Sequence, residues 1–441
     1  MISKLKELQS VVAPNLLAER DGKPLLSPNK SEEISAIASY ANQHSLAIEI
    51  AGAGTKRTWG NPIQPNPGAA GLLQLDTTRL TGVVSHSWHD LTATVAAGTP
   101  WATMQQALAQ HNQQVALDPL WPETATVGGI IATNDSGSLR LRYGSLRDLI
   151  LGMTIILADG TVAKSGGKVV KNVAGYDLHK LMTGAFGTLG IITEVTFRLH
   201  PIPAHPRNFT VSAPQATQLA PLIAAIRDSY LQTEGLQLRG DTNGFHLGIQ
   251  LNAHPDAHQS AVLESLVAAS GMRLDRRLDI HQNVSPSEIA SATECAFASE
   301  IGLGFSPGIQ AAGNPGFSPR DTAFAPQSAR EALFRNGATV IKVSVLPTEL
   351  CEYLDQMQWA PDIEVACVAQ SSGLIYASLV GSREAIEACL QSIKADFTIL
   401  ATSTKLNRWK AAPNSLPLMR EIKHRFDPNR ILNPGRFIGG I

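Results

Sequence analysis

Residues 118–149, DPLWPETATVGGIIATNDSGSLRLRYGSLRDL, decide how this chain is read. Within them lie Gly128-Gly129, then Ala132-Thr133-Asn134, then Ser136-Gly137, then Arg142-Tyr143-Gly144. Small residues and backbone donors prevail where a packed core would want large apolar side chains. Such a composition suits a loop and a short helix held against a large polar ligand. Glycine lets the main chain approach closely, and freed N–H groups bind carbonyls or phosphates. A second glycine-rich loop, AGAGTKRTWG at 51–60, lies upstream, and a third, GTLGIITEV at 187–195, lies downstream. One such loop carries little information. Three in this order, with strand-like segments around them, point to an elongated dinucleotide threaded through one domain.

The length of 441 residues predicts two domains, and a hydrophobic content of 44% is enough for ordinary globular cores. The net charge is −1 and no basic stripe appears, which argues against nucleic acid as a partner. The longest apolar run, LILGMTIILA at 149–158, is too short to span a bilayer, so no transmembrane segment is expected. The N-terminus, MISKLKELQSVVAPNLLAER, alternates charge with apolar residues at helical spacing and lacks the apolar segment and cleavage site of a secretory signal. A cytoplasmic protein is expected, with peripheral attachment to the inner membrane through partners left open. Cys295, Cys351, Cys367 and Cys389 are irregularly spaced with no CxxC, which argues against structural zinc and iron–sulfur ligation. Each reads as a small core residue or an inert thiol. If the chain carries out redox chemistry, it has no cluster of its own to accept electrons.

Along the chain, 31–45 reads as a helix with Ser31 as N-cap and Glu32 and Glu33 near its positive end. LAIEIAG (46–52) is a strand entering the first glycine loop, followed by strands at 71–76, 82–87 and 92–98. A helix starting at proline covers 100–113, and a strand covers 149–157, with a turn at Ala158-Asp159-Gly160. Trp88, Trp101 and Trp121 read as packing residues of this first domain. Prolines in HPIPAHPR (200–207) mark a boundary. Beyond it, strand–helix repeats predict a sheet with helices on one face. Residues 302–329, rich in Gly, Pro and small residues, read as a long loop. The tail contains a helix ended by Asp427-Pro428 and a turn at Asn433-Pro434-Gly435.

Two common phosphate motifs are excluded by spacing. A nicotinamide-type GxGxxG needs a third glycine and a following helix. Here Gly52 and Gly54 wait for Gly60, and NPIQPNPGAAG brings three prolines instead of a helix, so Asp76 carries little weight as a ribose ligand. Gly167-Lys168 is followed by Val169 and not Ser or Thr, so a P-loop is absent. What remains is a tight loop whose N–H groups face a pyrophosphate, an anion nest to which Lys56 or Arg57 adds charge.

AGAGTK, then DPLWPETATVGGIIATNDSG with RYG, then GTLGIITEV, resembles the FAD-binding domain of the vanillyl-alcohol oxidase/PCMH superfamily. The tail FDPNRILNPGR resembles the C-terminal signature of its FAD-linked oxidase branch, and KVVKNVAGYDLHKLMTGAFGTLG resembles the GlcE family of glycolate dehydrogenase (glycolate oxidase) subunits. The superfamily likeness covers roughly 46–200 and 408–437. It implies an α+β flavoprotein: a PCMH-type FAD-binding domain over 1–204, completed by 405–441, with an inserted cap or substrate domain over 205–404. It implies that Gly52, Ala53, Gly54, Thr55 and Lys56 wrap the FAD pyrophosphate. Pro119, Thr126, Val127, Gly128 and Gly129 match a second FAD-contacting segment, continued by Thr133, Asn134, Ser136 and Gly137 beside the isoalloxazine and ribityl chain. Tyr143, Gly144, Gly190, Ile191 and Ile192 complete the cradle. Some relatives tether flavin through a histidine in the first loop. Ala53 and its neighbours offer none, so FAD is expected to be non-covalent.

The implied activity is that of the FAD-binding subunit of a glycolate (2-hydroxy acid) dehydrogenase complex. The expected partners are a GlcD-like flavoprotein subunit and a GlcF-like iron–sulfur subunit. A non-catalytic assembly or electron-relay subunit, and a free-standing 2-hydroxy acid oxidase, are the alternatives. Hydroxy-acid dehydrogenases of this branch usually carry an HxGDGNxH-like metal motif. GFHLGIQLNAHPDAH (244–258) has His246, His254 and His258 but neither that core nor that spacing, so no metal is expected. Lys168, Lys171, Arg140 and Arg142 are candidate charges near the flavin, and Tyr176 and His179 candidate bases. None is assigned as catalytic.

Overall fold

A computed structural model describes residues 16–20, 22–167, 177–204, 206–252, 258–279, 326–358, 362–410 and 413–441. The architecture is α+β. In the N-terminal half, β1 (Leu17–Arg20), β2 (Lys23–Leu26), β3 (Leu46–Ala51) and β4 (Gly71–Asp76) form a sheet of order β1-β2-β4-β3, in which β2 and β3 run parallel to β4. The helix Ser31–Gln43 lies against it through Ile34, Ile37, Ala38 and Ala41, the three-and-four spacing of one helix face. Its N-cap is Lys30 and not Ser31, because Glu33 reaches back to accept the N–H groups of Asn29 (2.9 Å) and Lys30 (3.3 Å).

A second sheet is antiparallel throughout. Its strands are β5 (Val83–Ser87), β6 (Thr92–Ala96), β8 (Ile150–Ile156), β9 (Val162–Gly166) and β10 (Ile191–Arg198), in the order β5-β6-β10-β8-β9. The short strands β7 (Gln113–Gln114) and β11 (His200–Pro201) pair separately. The core here gathers Val95, Trp101, Met104, Ile130, Ile131 and Phe197, with the Trp101 and Phe197 rings edge to face at 6.0 Å. The predicted helix at 100–113 is shorter, Trp101–Ala109, with Pro100 as its N-cap. Trp88 departs from the packing role expected of it: it is 43% exposed.

The C-terminal half is one eight-stranded antiparallel sheet. Its strands are β12 (Pro206–Ala213), β13 (Thr233–Asp241), β14 (Gly244–Asn252), β15 (Arg276–Asp279), β16 (Thr339–Ser344), β17 (Ile363–Gln370), β18 (Leu374–Gly381) and β19 (Asp396–Ala401). Their order is β15-β12-β14-β13-β17-β18-β16-β19. Successive residues of a strand face opposite sides. Ile341, Ile375 and Ala377 therefore meet the helices Ala216–Asp228, Leu350–Gln358 and Arg383–Ser392 in one core. Val340, Val368 and Tyr376 face the other way and pack with Trp59, Leu120 and Phe186 of the N-terminal half. Of the loop read at 302–329, residues 302–325 lie outside the described residues, and 326–329 belong to the helix Pro326–Leu333. Cys351, Cys367 and Cys389 are buried free thiols, and Cys295 lies outside the described residues.

The tail returns to the first sheet. After the helix Leu416–Phe426, the Ile48 N–H donates to the Ile431 carbonyl (2.7 Å) and the Asn433 N–H to the Ile48 carbonyl (2.9 Å), so the tail runs beside β3. The segment is anchored by a buried ion pair, Lys423 Nζ to Asp427 Oδ2 at 2.6 Å. Lys423 also donates to the carbonyls of Thr188 (2.7 Å) and Leu432 (3.0 Å), and Asp427 accepts the N–H groups of Ile431 and Leu432. Lys423→Met leaves a buried carboxylate without its cation and is expected to destabilise the fold by about 3–5 kcal/mol in urea unfolding. A change under about 1 kcal/mol would show that the pair does not anchor the tail.

Candidate cofactor cleft and adjoining cavity

β3 ends at Ala51 and the chain turns sharply. Gly54 is left-handed (φ +76°), which lets the Arg57 N–H close on the Gly54 carbonyl at 3.2 Å. A Cβ on Gly52 would stand 2.1 Å from Thr126 Oγ1. Thr126 is the N-cap of the helix Val127–Thr133, its hydroxyl accepting the Gly129 N–H at 3.3 Å. The first loop and this helix start therefore approach each other only because one of them lacks a side chain.

Together they border a cleft open to solvent, whose walls also include Thr77, Phe186, Gly187, Asn433 and Arg436. Of the residues singled out from sequence, Gly52, Ala53, Gly54, Thr55, Lys56, Thr126, Gly128, Gly129, Thr133, Gly190 and Ile192 line it. Val127 and Ile191 are wholly buried in the cores on either side. Asn134 lines a second cavity, described below. Pro119, Ser136, Gly137, Tyr143 and Gly144 line neither. Their surroundings say what they do. Gly137 packs on Asp118, where a Cβ would stand 2.2 Å from Oδ2 and 2.5 Å from the carbonyl oxygen. The Ser136 carbonyl accepts from Gln370 Nε2 at 2.9 Å. The Tyr143 hydroxyl donates to Glu234 of β13 at 2.5 Å, and Arg142 pairs with the same carboxylate at 3.3 Å.

Sequence reading missed Thr77, Ala132, Phe186, Gly187, Asn433 and Arg436 as lining residues. The signal for three of them was present: Phe186-Gly187 opens the third glycine loop with two positive φ angles, and Asn433 sits in the turn already read at 433–435. Asn433 Oδ1 accepts the Ile50 N–H (2.8 Å) while its Nδ2 donates to the Phe186 carbonyl (2.7 Å), fixing two walls at once. Arg436 donates to the carbonyls of Lys56 (3.1 Å) and Arg57 (3.2 Å), and burial pushes its pKa down to about 10.

The charged groups of the cleft are arranged in depth. Lys56 (5% exposed) pairs with Asp135 (0% exposed) at 3.0 Å, with the rings of Trp59 and Trp121 at 5.8 and 5.4 Å from its ammonium. Asp135 also accepts the Leu120 N–H at 3.1 Å. Arg57 is nearer the surface and faces Glu49 at 3.8 Å. The second cavity, about 360 Å³, shares Thr133 and Phe186 with the cleft. Trp59, Phe186, Trp409 and Phe437 give it aromatic walls, and β16 and β19 supply Lys342, Ser344, Asp396 and Thr398. Lys342 Nζ donates to the Asn134 carbonyl at 3.1 Å, and burial pushes its pKa down to about 8.

Apolar Ile50, Ile192 and Phe186 beside glycine main chain, with Thr55, Lys56, Arg57 and Arg436, suit flat rings joined by a diphosphate. Comparison with known proteins decides the matter. Residues 23–166 match the FAD binding domain family, and residues 401–437 match the C-terminal domain of FAD linked oxidases. The chain carries a FAD binding domain. Among the described residues lining it there is neither His nor Cys, which is consistent with FAD held non-covalently.

Among curated relatives, D-2-hydroxyglutarate dehydrogenase of Xanthomonas citri pv. viticola is 26% identical, covering 93% of this chain and 88% of that protein. The glycolate oxidase subunit GlcE of Escherichia coli is 37% identical over 35% of this chain and 43% of its own length. A D-lactate dehydrogenase of Archaeoglobus fulgidus is 36% identical over 45% of this chain. The matches to that protein and to the mitochondrial D-lactate dehydrogenase of Arabidopsis thaliana each span 43% of the relative, less than half. A solved alkyldihydroxyacetonephosphate synthase shares the fold, with a TM-score of 0.66 at 14% identity over 98% of this chain and 86% of that one.

Other candidates fall elsewhere. Lys168, Lys171, Tyr176 and His254 lie outside the described residues. His179 is buried, with Nδ1 3.2 Å from Ser165 Oγ, and burial lowers its pKa. His246 Nδ1 meets Ser212 Oγ at 2.6 Å. Among the described residues no group of three or more His, Cys, Asp or Glu side chains is placed to hold a metal ion.

Two predictions follow from this geometry. Gly52→Ala should abolish FAD retention on gel filtration, whereas Gly68→Ala, whose Cβ meets nothing within 4 Å, should retain it; equal retention would remove Gly52 from the cleft's construction. Asp118 accepts the N–H groups of Ser138 (2.8 Å) and Leu139 (3.2 Å), yet burial raises its pKa to about 6. The folded state therefore binds this proton more tightly than the unfolded one, so the Asp118 contribution to stability falls as pH rises through about 6. Unfolding in urea at pH 5 and 7.5 should show a smaller difference in Asp118→Asn than in the parent; an unchanged difference would contradict the assignment.

Proposed function

We propose that this chain is a flavin-dependent dehydrogenase of 2-hydroxy acids, acting as the FAD-binding subunit of a glycolate dehydrogenase complex beside a GlcD-like flavoprotein and a GlcF-like iron–sulfur subunit. The observation that carries the reading is the second cavity: it adjoins the FAD cleft through Thr133 and Phe186 and presents a lysine among aromatic walls. The names of the relatives, D-2-hydroxyglutarate dehydrogenase, D-lactate dehydrogenase and glycolate oxidase subunits, support the substrate class. On this reading 1–204 with 405–441 is the FAD-binding unit, 205–404 is the cap, and the residues named from sequence that line the cleft hold the cofactor.

Bound FAD supplies a two-electron acceptor for the hydride. The chain's own residues do the rest. Lys342 offers its ammonium to the substrate carboxylate, a charge-assisted contact strengthened by its low-dielectric surroundings. Trp59, Phe186, Trp409 and Phe437 would cover the apolar side of a bound substrate and limit the water that reaches it there. Lys56, Arg57 and Arg436 line the cleft and would supply positive charge to a bound diphosphate. The alternative, an FAD-binding relay or assembly subunit that oxidises nothing itself, draws support from the absence of any histidine among the described residues lining either cavity. Among the described residues no helix is long and apolar enough to cross a membrane.

An anaerobic titration separates the two. The purified chain should show flavin absorbance that bleaches with glycolate or D-lactate, and Lys342→Met should raise KM about tenfold or more while retaining FAD. Bands that persist under both substrates would assign oxidation to a partner.

A further inference from the structure

Residues 134–136 follow directly on Thr133, which borders both chambers. Lys56 lines the FAD cleft, and Asn134 and Lys342 line the second cavity. Asp135 sits within this segment, fully buried. Its carboxylate holds Lys56 at 3.0 Å, while the carbonyl of the preceding residue, Asn134, accepts the Lys342 ammonium at 3.1 Å. Among the described residues Asp135 Oδ1 has no hydrogen-bond partner. One buried cation thus pairs with the Asp135 carboxylate, and a second is held on the carbonyl of the residue before it. We propose that Asp135 is a positioning residue shared by both chambers: its carboxylate fixes the Lys56 ammonium beside the first glycine loop and keeps Lys342 cationic in the neighbouring cavity.

The physical need is clear from burial. A lysine taken out of water tends to lose its proton, and Lys342 is pushed down to about 8. Asp135 opposes that fall and Arg140 adds to it. The Tyr376 ring lies 5.7 Å from the ammonium, and Asp396 of β19 and Lys410 stand on the same cavity wall. Of the two carboxylates near Lys342, Asp135 is the buried one, where charge is least screened. Without it, Lys342 should be largely neutral at physiological pH. What Lys342 binds rests on the functional reading above; the charge coupling itself does not.

Competitive labelling of the full chain with acetic anhydride across pH, read by peptide mass spectrometry, measures the titration of each lysine. Lys342 should titrate near pH 8 in the parent. Asp135→Asn should move that midpoint to lower pH, with about a tenfold larger deprotonated fraction on the rising limb. Unfolding would move it the other way, toward the ordinary lysine value of about 10.4. An unchanged or raised midpoint in a folded Asp135→Asn protein, with Lys423 still protected, overturns the proposal. Should that variant not fold, Lys56→Met decides: it leaves Asp135 facing Lys342 alone, so the midpoint should rise while Lys423 stays protected, and no change overturns the coupling. In the FAD-loaded chain, KM for glycolate should increase several-fold more between pH 6 and 8 in Asp135→Asn than in the parent. A shifted titration with an unchanged KM overturns the substrate role of Lys342 and leaves the coupling standing.

Discussion

The cofactor cleft exists because the tail is hydrogen-bonded to β3. Ile48 gives its N–H to Ile431 and accepts from Asn433, and the Asn433 side chain then spans from Ile50 to Phe186. The first glycine loop springs from the end of this same strand, and the third follows directly on Phe186. A side chain with one acceptor and two donors therefore sets the distance between two loops that share no sequence neighbourhood. Arg436 completes the brace by drawing the carbonyls of Lys56 and Arg57 inward, which leaves the opposite side of that loop to the cofactor. The contact joins residues 383 apart in sequence. Loop closure over so long a chain is only modestly more demanding than over a short one, since its entropy grows with the logarithm of length.

The same economy governs the meeting of the two halves. The eight-stranded sheet spends one face on its own helices and turns the other toward the FAD-binding half. There the polar contacts fall on one short segment: Lys342 on the Asn134 carbonyl, Gln370 and Tyr376 on the Ser136 carbonyl. Glu234 of β13 takes Tyr143 and Arg142 a little further along. The stretch that the sequence marks as ligand-binding thus divides its work. Its first part, 126–133, borders the cleft, and its second part, 134–144, is the surface on which the sheet docks.

Much of this was legible beforehand, and the failures have physical causes. The strands β3, β4 and β6 follow from their apolar pattern and glycine punctuation, and the first loop is marked by glycines that no helix succeeds. Ser136, Gly137 and Tyr143 also serve where backbone meets backbone, a use that small and polar residues do not distinguish in sequence from ligand contact: a Cβ on Gly137 would stand 2.2 Å from Asp118 Oδ2. The Lys56–Asp135 pair was invisible because its members are far apart in sequence and neither carries a local pattern. Ser31 looked like a cap, but Glu33 reached one residue further back. Trp88 was assigned to the interior by hydrophobicity alone, and short aromatic turns at a sheet edge escape that rule.

Because Asn433 and Arg436 complete walls begun by residues near position 50, the flavin chamber stays unfinished until the chain has come back to its early strand. Residues 383 apart must both be in place before two of its sides exist. Capture of the yellow cofactor therefore waits on long-range folding and not on the glycine loops alone.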